Sequence, residues 1–319
     1  GGERKTALTA IDRAIELLDQ DEDKGQLSQA YAVRSHLSDD PEEQLEHLNK
    51  AVEIDADNLE AVRDRGLVFL IQKKHSEAIA DFEKILEKEA DQIAAVIMEP
   101  MVQAAGGMII WPREFLCQVR ELTAHYGIPL IADEVFTGFG RTGKMFACQH
   151  GPIEPDIMCL SKAITGGYLP LAATLASEEI YQAFLSDDRR KTLFHGHSYT
   201  GNALACAVAL ESLAVLEETG LDRVQSLETL FRERLARLES LPVVDEVRGI
   251  GGLAVAELQP EKQSGYLDAR GPRMAQAFLQ RGILLRPLGN VLYFLPPYAI
   301  TDEQAHGVFD EIEEVLSHE

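Results

Sequence analysis

The sequence predicts an α/β protein preceded by an all-α segment, and three observations carry that expectation. Two short apolar runs, Ile128-Pro129-Leu130-Ile131-Ala132 and Asp156-Ile157-Met158-Cys159-Leu160, each close on polar residues, as strands buried on both faces of a parallel sheet do. The first ninety residues read differently, with apolar side chains recurring at helical spacing. From about Leu221 onward shorter strand and helix patterns alternate, which suits a second, smaller α/β domain. The expected organisation is therefore a helical segment over 1–90, a large-domain portion over 91–220 and a small C-terminal domain over 221–319.

Composition sets limits on the function. The chain has 319 residues, 45% hydrophobic content and a formal net charge of −23, enough apolar material for a sizeable core. So acidic a chain is not expected to bind nucleic acid or an anionic membrane surface. Cys117, Cys148, Cys159 and Cys206 form no C-x-x-C pair and read as reduced thiols of a cytoplasmic protein, not as a disulfide or metal framework. No apolar stretch reaches the length of a membrane span and no signal peptide is visible.

Residues 1–90 contain 12 basic and 22 acidic residues and a single proline, Pro41. Ala10, Ile11, Ala14, Ile15, Leu17 and Leu18 line one helical face. Ala51-Val52-Glu53-Ile54-Asp55-Ala56-Asp57-Asn58 is answered by Ile85-Leu86-Glu87-Lys88-Glu89-Ala90-Asp91, an offset of about 34 residues. Gly66, Phe69, Ala78 and Phe82 take the small and aromatic places of such a unit. The segment resembles tetratricopeptide repeats, which implies stacked helix pairs. Such pairs offer a groove for a peptide or protein ligand, or simply a helical cap on the neighbouring domain.

In the α/β portion, Ala94-Ala95-Val96-Ile97-Met98 reads as a strand, residues 103–107 as a flexible loop and residues 112–126 as an amphipathic helix. The two apolar runs end at Asp133 and at Ser161-Lys162. Ligands gather beyond the carboxyl ends of parallel strands, so a shared site is geometrically reasonable. A lysine that forms a Schiff base, with a carboxylate to hold the pyridine nitrogen protonated, is the pair pyridoxal phosphate chemistry requires. Any α/β domain also offers acids and lysines at strand ends. A lysine buried there would be a better nucleophile because burial disfavours its charged form. Leu171-Ala172-Ala173-Thr174-Leu175-Ala176 is a further strand. Residues 195–202 precede a long helix, where hydroxyls and N–H groups form a natural anion seat. In the last hundred residues, strands are expected around Gly249, Gly251 and Gly252, a helix over 272–282, a hairpin over 283–293 and a closing helix capped by Thr301.

The wording of these segments adds a resemblance. Asp133-Glu134-Val135-Phe136-Thr137-Gly138-Phe139-Gly140-Arg141-Thr142-Gly143 and Leu160-Ser161-Lys162-Ala163-Ile164-Thr165-Gly166-Gly167 resemble the class III, fold-type I aminotransferases. Within that class, His195-Gly196-His197-Ser198-Tyr199-Thr200-Gly201-Asn202 and Leu285-Arg286-Pro287-Leu288-Gly289-Asn290 look most like the 7,8-diaminopelargonic acid aminotransferases of biotin synthesis. The resemblance runs from about residue 91 to 319. It implies a partial fold-type I large domain plus the small domain, with pyridoxal 5'-phosphate as cofactor. The implied reaction converts 8-amino-7-oxononanoate to 7,8-diaminononanoate, with S-adenosylmethionine or lysine as amino donor.

The resemblance also distributes roles. Lys162 would join the cofactor covalently and move the substrate proton, Asp133 would pair with the pyridine nitrogen, and Val135 would pack on the ring. Ser198, with Thr200 as a second candidate, would hold the phosphate of a partner subunit in a homodimer. Arg286 would clamp the substrate carboxylate, which its planar fork suits. Glu134 is read as structural, and His195 and His197 as local hydrogen-bonding residues rather than metal ligands. Ala105 stands where some branches of the class carry a glutamate. The family's N-terminal half, with its own phosphate loop and ring-stacking aromatic, is replaced here by repeat-like helices, as in a fusion or chimera, so native-level turnover is not expected. The alternative expectation is a non-catalytic interaction protein whose working part is the helical segment.

Overall fold

A computed structural model describes residues 2–19, 22–260 and 268–318. The chain divides into two compact units: Gly1–Val96 with Gln118–Ile128, and Ile97–Cys117 with Pro129–Glu319.

The first unit is helical: α1 (Gly2–Leu17), α2 (Lys24–Ser35), α3 (Pro41–Ile54), α4 (Leu59–Ile71) and α5 (His75–Glu89) follow one another, each packed on the next or the previous. Their starts follow from short polar side chains. Asp40 accepts a hydrogen bond from the Glu42 N–H ahead of Pro41, and Asn58 accepts from the Ala61 N–H, so each cap satisfies a backbone donor that the helix cannot. Ala32, Leu48, Ala51, Ala61 and Val62 form the core. Gly66 lies so close to the Phe82 ring that a Cβ there would come within 2.8 Å of it. The small and aromatic positions read from the sequence thus meet at the α4–α5 contact. Arg65 grips the buried Asp81 through two hydrogen bonds of 2.8 and 2.6 Å.

The second unit holds three sheets. One is mixed, in the order β1 (Val96–Met98), β4 (Leu130–Asp133), β5 (Ile157–Leu160), β6 (Ala173–Ala176). A two-stranded hairpin joins β2 (Val102–Gln103) to β3 (Ile109–Ile110). The third sheet is antiparallel, β7 (Val244–Ile250), β8 (Leu253–Leu258), β9 (Val291–Phe294). Helix α6 (Arg113–His125) starts in this unit and ends in the first. It is followed by α7 (Glu178–Phe184), α8 (Ala203–Thr219), α9 (Asp222–Leu238), α10 (Arg270–Gln280) and α11 (Asp302–Leu316). Around the antiparallel sheet Phe231, Phe294 and Phe309 form a triangle with centroids 5.4–5.5 Å apart. Leu227, Met274, Phe278 and Ile312 complete that core. Thr301 and Gln304 form a reciprocal capping box at the start of α11.

Four expectations need correction. The sheet carrying Asp133 is not all parallel: β4 and β5 run parallel, but β6 runs antiparallel to β5. It is not buried on both faces either: β5 is fully buried only at Leu160, and Thr174, Leu175 and Ala176 of β6 are exposed. A sheet of this kind needs helices on both sides to bury it, and the described elements leave much of this one uncovered. The expected hairpin over 283–293 shrinks to a tight turn in which Leu288 and Val291 exchange backbone hydrogen bonds. Pro287 lacks a donor, and β9 takes β8 as its partner instead.

The loop over 103–107 is tied down, not free. The Arg248 guanidinium donates to the carbonyls of Met108 at 2.9 Å and Gly107 at 2.6 Å, and its other side meets Glu246 and Glu257. The Ala104 N–H is held by Glu99 at 3.0 Å. Met101 and Met108, at φ 63° and 56°, take left-handed backbone conformations at the two ends of the segment. Strain of that kind persists only where surrounding contacts enforce it.

Candidate active site

The β4–β5 pair brings the two principal residues to one edge. Asp133 lies opposite Cys159 in parallel register, and Lys162 follows Cys159 by three residues as the chain leaves the sheet. Lys162 opens the short 3-10 turn Lys162–Thr165 with φ 46°, and Gly166 and Gly167 continue at φ 59° and 86°. A left-handed backbone costs an ordinary side chain about 1–2 kcal/mol, and outliers of this kind cluster where function sets the geometry. Helix α8 packs on this turn, with the Ser212 hydroxyl donating to the Ala163 carbonyl at 3.5 Å.

Asp133 uses one carboxylate oxygen to accept from the Val135 N–H at 3.0 Å. Its other oxygen has no hydrogen-bond partner among the described residues and is available at the strand end. Val135 is half-buried. The Lys162 Nζ lies 5.4 Å from the centroid of the Phe136 ring. Lys162 is exposed, so the sequence argument that burial activates it does not hold here; the strained turn and the aromatic face are what distinguish it. Burial, together with the Asp133 charge, raises the Cys159 thiol above its usual value, so that cysteine is kept protonated beside the site.

The loop after β4 is the best-ordered part of the site by hydrogen bonding. Glu134 is fully buried and accepts from the Cys148 N–H at 2.8 Å, the Ala147 N–H at 3.0 Å and the Thr137 hydroxyl at 2.5 Å. Arg141, further along, donates to the carbonyls of Gly252 and Pro296 and stacks 4.7 Å from the Tyr298 ring centroid. Gly251 crosses this loop where a Cβ would lie 2.5 Å from the Arg141 carbonyl oxygen and the Gly143 nitrogen, so no side chain fits there.

The remaining candidates are not joined to this edge. Ser198 and Thr200 lie on an exposed coil ahead of α8. Thr200 is engaged locally, its hydroxyl accepting from the His197 N–H at 3.0 Å, while the His197 Nδ1 accepts from Tyr199. Asn202 caps the helix by accepting from the Ala205 N–H. Among the described residues no hydrogen bond links Ser198 or Thr200 to Asp133 or Lys162. Arg286 is exposed on the segment before β9, between buried Leu285 and the turn at Leu288, and has no carboxylate partner among the described residues.

The strand-end residues fit the ring end of pyridoxal phosphate: a carboxylate with one free oxygen, an exposed lysine on the neighbouring strand end and a bare glycine turn beside it. Glu134 and Phe136 escaped the sequence reading as site-shaping residues. Only the first had a signal in the sequence, as an acid directly after the strand-end aspartate.

The family model for "Aminotransferase class-III" matches residues 39–316, so the match begins within the helical segment and not at residue 91. Adenosylmethionine-8-amino-7-oxononanoate aminotransferase of Synechococcus elongatus is 47% identical over 246 residues, 77% of this chain and 57% of the relative. The protein of the same name from Geobacter sulfurreducens is 46% identical, over 75% of this chain and 54% of the relative. The crystal structure of the Methanocaldococcus jannaschii protein of that name aligns with a TM-score of 0.72 and 35% identity, over 82% of this chain and 65% of that one. The chain thus spans about half the length of the curated relatives it matches.

Proposed function

The chain belongs to the class III aminotransferase family, and we propose that its β4–β5 edge serves pyridoxal phosphate-dependent transfer of an amino group to 8-amino-7-oxononanoate. The observation that carries this reading is the placement of Asp133 and Lys162 at the same ends of two neighbouring parallel strands. The relatives named for that substrate, and the segments around Ser198 and Arg286, support the finer assignment. Their name favours S-adenosylmethionine over lysine as the donor.

When bound, pyridoxal phosphate supplies an electron sink that allows an amino group to pass between an amine and a ketone. Each side chain then has a distinct task. Asp133 would hold the proton on the ring nitrogen through its free oxygen. Val135 would lie against the ring, and Lys162 would anchor the cofactor and carry a proton to and from the substrate carbon. Ser198 or Thr200 would take the phosphate, and Arg286 the substrate carboxylate.

The phosphate role would draw on a second copy of the chain, as the resemblance implies, since no hydrogen bond among the described residues links Ser198 or Thr200 to Lys162. Exposed apolar side chains favour that arrangement, including Tyr199, Leu204 and Leu210 on and before α8, a helix that is hydrophobic all round and would ordinarily be buried. Sedimentation of a strict monomer at high concentration would remove the shared site.

We further assign domains at 1–90, 91–220 and 221–319, with the first a tetratricopeptide-like module. The packing of Gly66 against Phe82 supports a repeat unit there, and a peptide ligand is the second functional reading. The deciding experiment is the absorbance of the protein mixed with pyridoxal phosphate. A visible band that Lys162→Ala abolishes supports the aminotransferase reading; no band at saturating cofactor leaves the helical module as the working part.

A further inference from the structure

We propose that Glu134 is a positioning residue for the strand-end pair: its buried carboxylate closes the loop over 134–148 and so fixes Asp133 and Phe136 beside Lys162. The proposal rests on the pyridoxal phosphate reading and goes beyond it by assigning work to a residue that touches neither cofactor nor substrate.

At the end of β4 two neighbouring acids divide their tasks. Asp133 keeps an oxygen free at the strand end. Glu134 is fully buried, and among the described residues no cationic side chain is one of its hydrogen-bond partners. A buried carboxylate without a cation is costly unless its lone pairs are filled. Here Oε1 accepts from the Cys148 N–H, and Oε2 accepts from the Ala147 N–H and the Thr137 hydroxyl. Its backbone is held as well, with the N–H donating to the Cys159 carbonyl at 3.0 Å and the carbonyl accepting from the Gly138 N–H at 2.9 Å. One residue therefore ties the end of β4 to β5, to the start of its own loop and to the loop's far end at Ala147 and Cys148. Between those anchors lie Val135 and Phe136, whose ring faces the Lys162 amine. Burial, reinforced by the Glu134 charge, raises the Cys148 thiol far above its usual value, and this thiol is only 2% exposed. Cys148 is therefore a native reporter of whether the loop is closed.

Glu134→Gln keeps the shape but replaces one oxygen with an amide NH2. That group must face a backbone donor on one side or the other, so the loop loses at least one of its anchors. The experiment compares wild type, Glu134→Gln and Thr137→Val, which removes one donor and keeps the carboxylate. Pyridoxal phosphate is titrated by visible absorbance across a range of pH. Separately, Cys148 is labelled with a chromogenic thiol reagent, without cofactor, in a background where Cys117, Cys159 and Cys206 are alanine.

The expected result for Glu134→Gln is cofactor affinity at least tenfold weaker, a shifted pH midpoint of the lysine-bound band and Cys148 labelling at least tenfold faster. Thr137→Val should fall between it and wild type. Wild-type affinity, midpoint and labelling in Glu134→Gln would overturn the proposal, even with a lowered melting temperature, because a merely structural role moves melting alone. If Glu134→Gln does not fold, Thr137→Val decides by the same measurements. A wild type without any band sinks the cofactor reading and with it this role, whereas slow Cys148 labelling in that protein would show that the loop itself is closed.

Discussion

Lys162 presents its amine to the face of Phe136, with 5.4 Å between Nζ and the ring centroid. An exposed contact of this kind is worth about 0.5–1 kcal/mol, enough to keep a long side chain from sampling solvent freely. Replacing Phe136 with leucine keeps the packing volume and removes the aromatic face. The expected outcome is capture of pyridoxal phosphate by Lys162 weakened about two- to fivefold. The measurement is an absorbance titration, and an unchanged titration would show that the ring does not hold the amine.

Arg286 is an exposed guanidinium without an acidic partner among the described residues, so its removal should cost the fold little. Hydrogen bonds to charged groups contribute about 1.5–3 kcal/mol. Arg286→Ala should therefore raise KM for a carboxylate substrate by about ten- to a hundredfold, with melting and cofactor affinity unchanged. If KM holds while kcat falls, the arginine is not the carboxylate clamp.

The small domain rests on its aromatic triangle. Phe309 is almost fully buried and touches both Phe231 and Phe294. Phe309→Ala should destabilise the protein by about 3–5 kcal/mol, read as an earlier denaturant midpoint for far-UV ellipticity. A loss under about 1 kcal/mol would mean that the neighbouring side chains close the cavity.

Acid should weaken the fold before the carboxylates titrate. His47, His75 and His150 are all pulled below the ordinary histidine value of 6.5, chiefly by burial. Around His150, Lys144 lowers the value further, while Thr142, Glu228 and Glu134 oppose the shift. A depressed folded value means that the unfolded chain takes up the proton first. Stability from these groups is full above about pH 6.5 and declines as pH falls toward their folded values. Urea midpoints at pH 7.5 and 5.5 should differ in that sense, and the difference should narrow in His150→Gln. An equal difference in the variant would exclude His150 as a contributor.

The parts of this structure that were legible in the sequence are those governed by local chemistry. Thr301, three residues before Gln304, marks a helix start because the side chain and its target N–H lie within one turn. The apolar runs ending at Asp133 and Lys162 were readable as strands for the same reason, and the strand-end pair came with them. What was not legible depends on partners distant in the chain. Nothing local tells β6 to run antiparallel to β5, or β9 to choose β8 over residues 283–288. Arg248 reaches a loop that lies 140 residues away, and periodicity carries no trace of that contact. The exposure of Lys162 was missed because an apolar run announces a strand without saying how much of it is covered.

The left-handed turn at Lys162 has an evolutionary consequence. Glycine or asparagine would sit there with less strain, so random substitution is not opposed by the fold at this position and is mildly rewarded by it. A lineage that no longer used this amine would be expected to lose it early, while Phe309 and Leu227, held by packing, persisted. Sequencing the chain from near relatives gives the reading: lysine retained at 162 marks selection for its chemistry, and drift to glycine or asparagine there marks a fold that has outlived it.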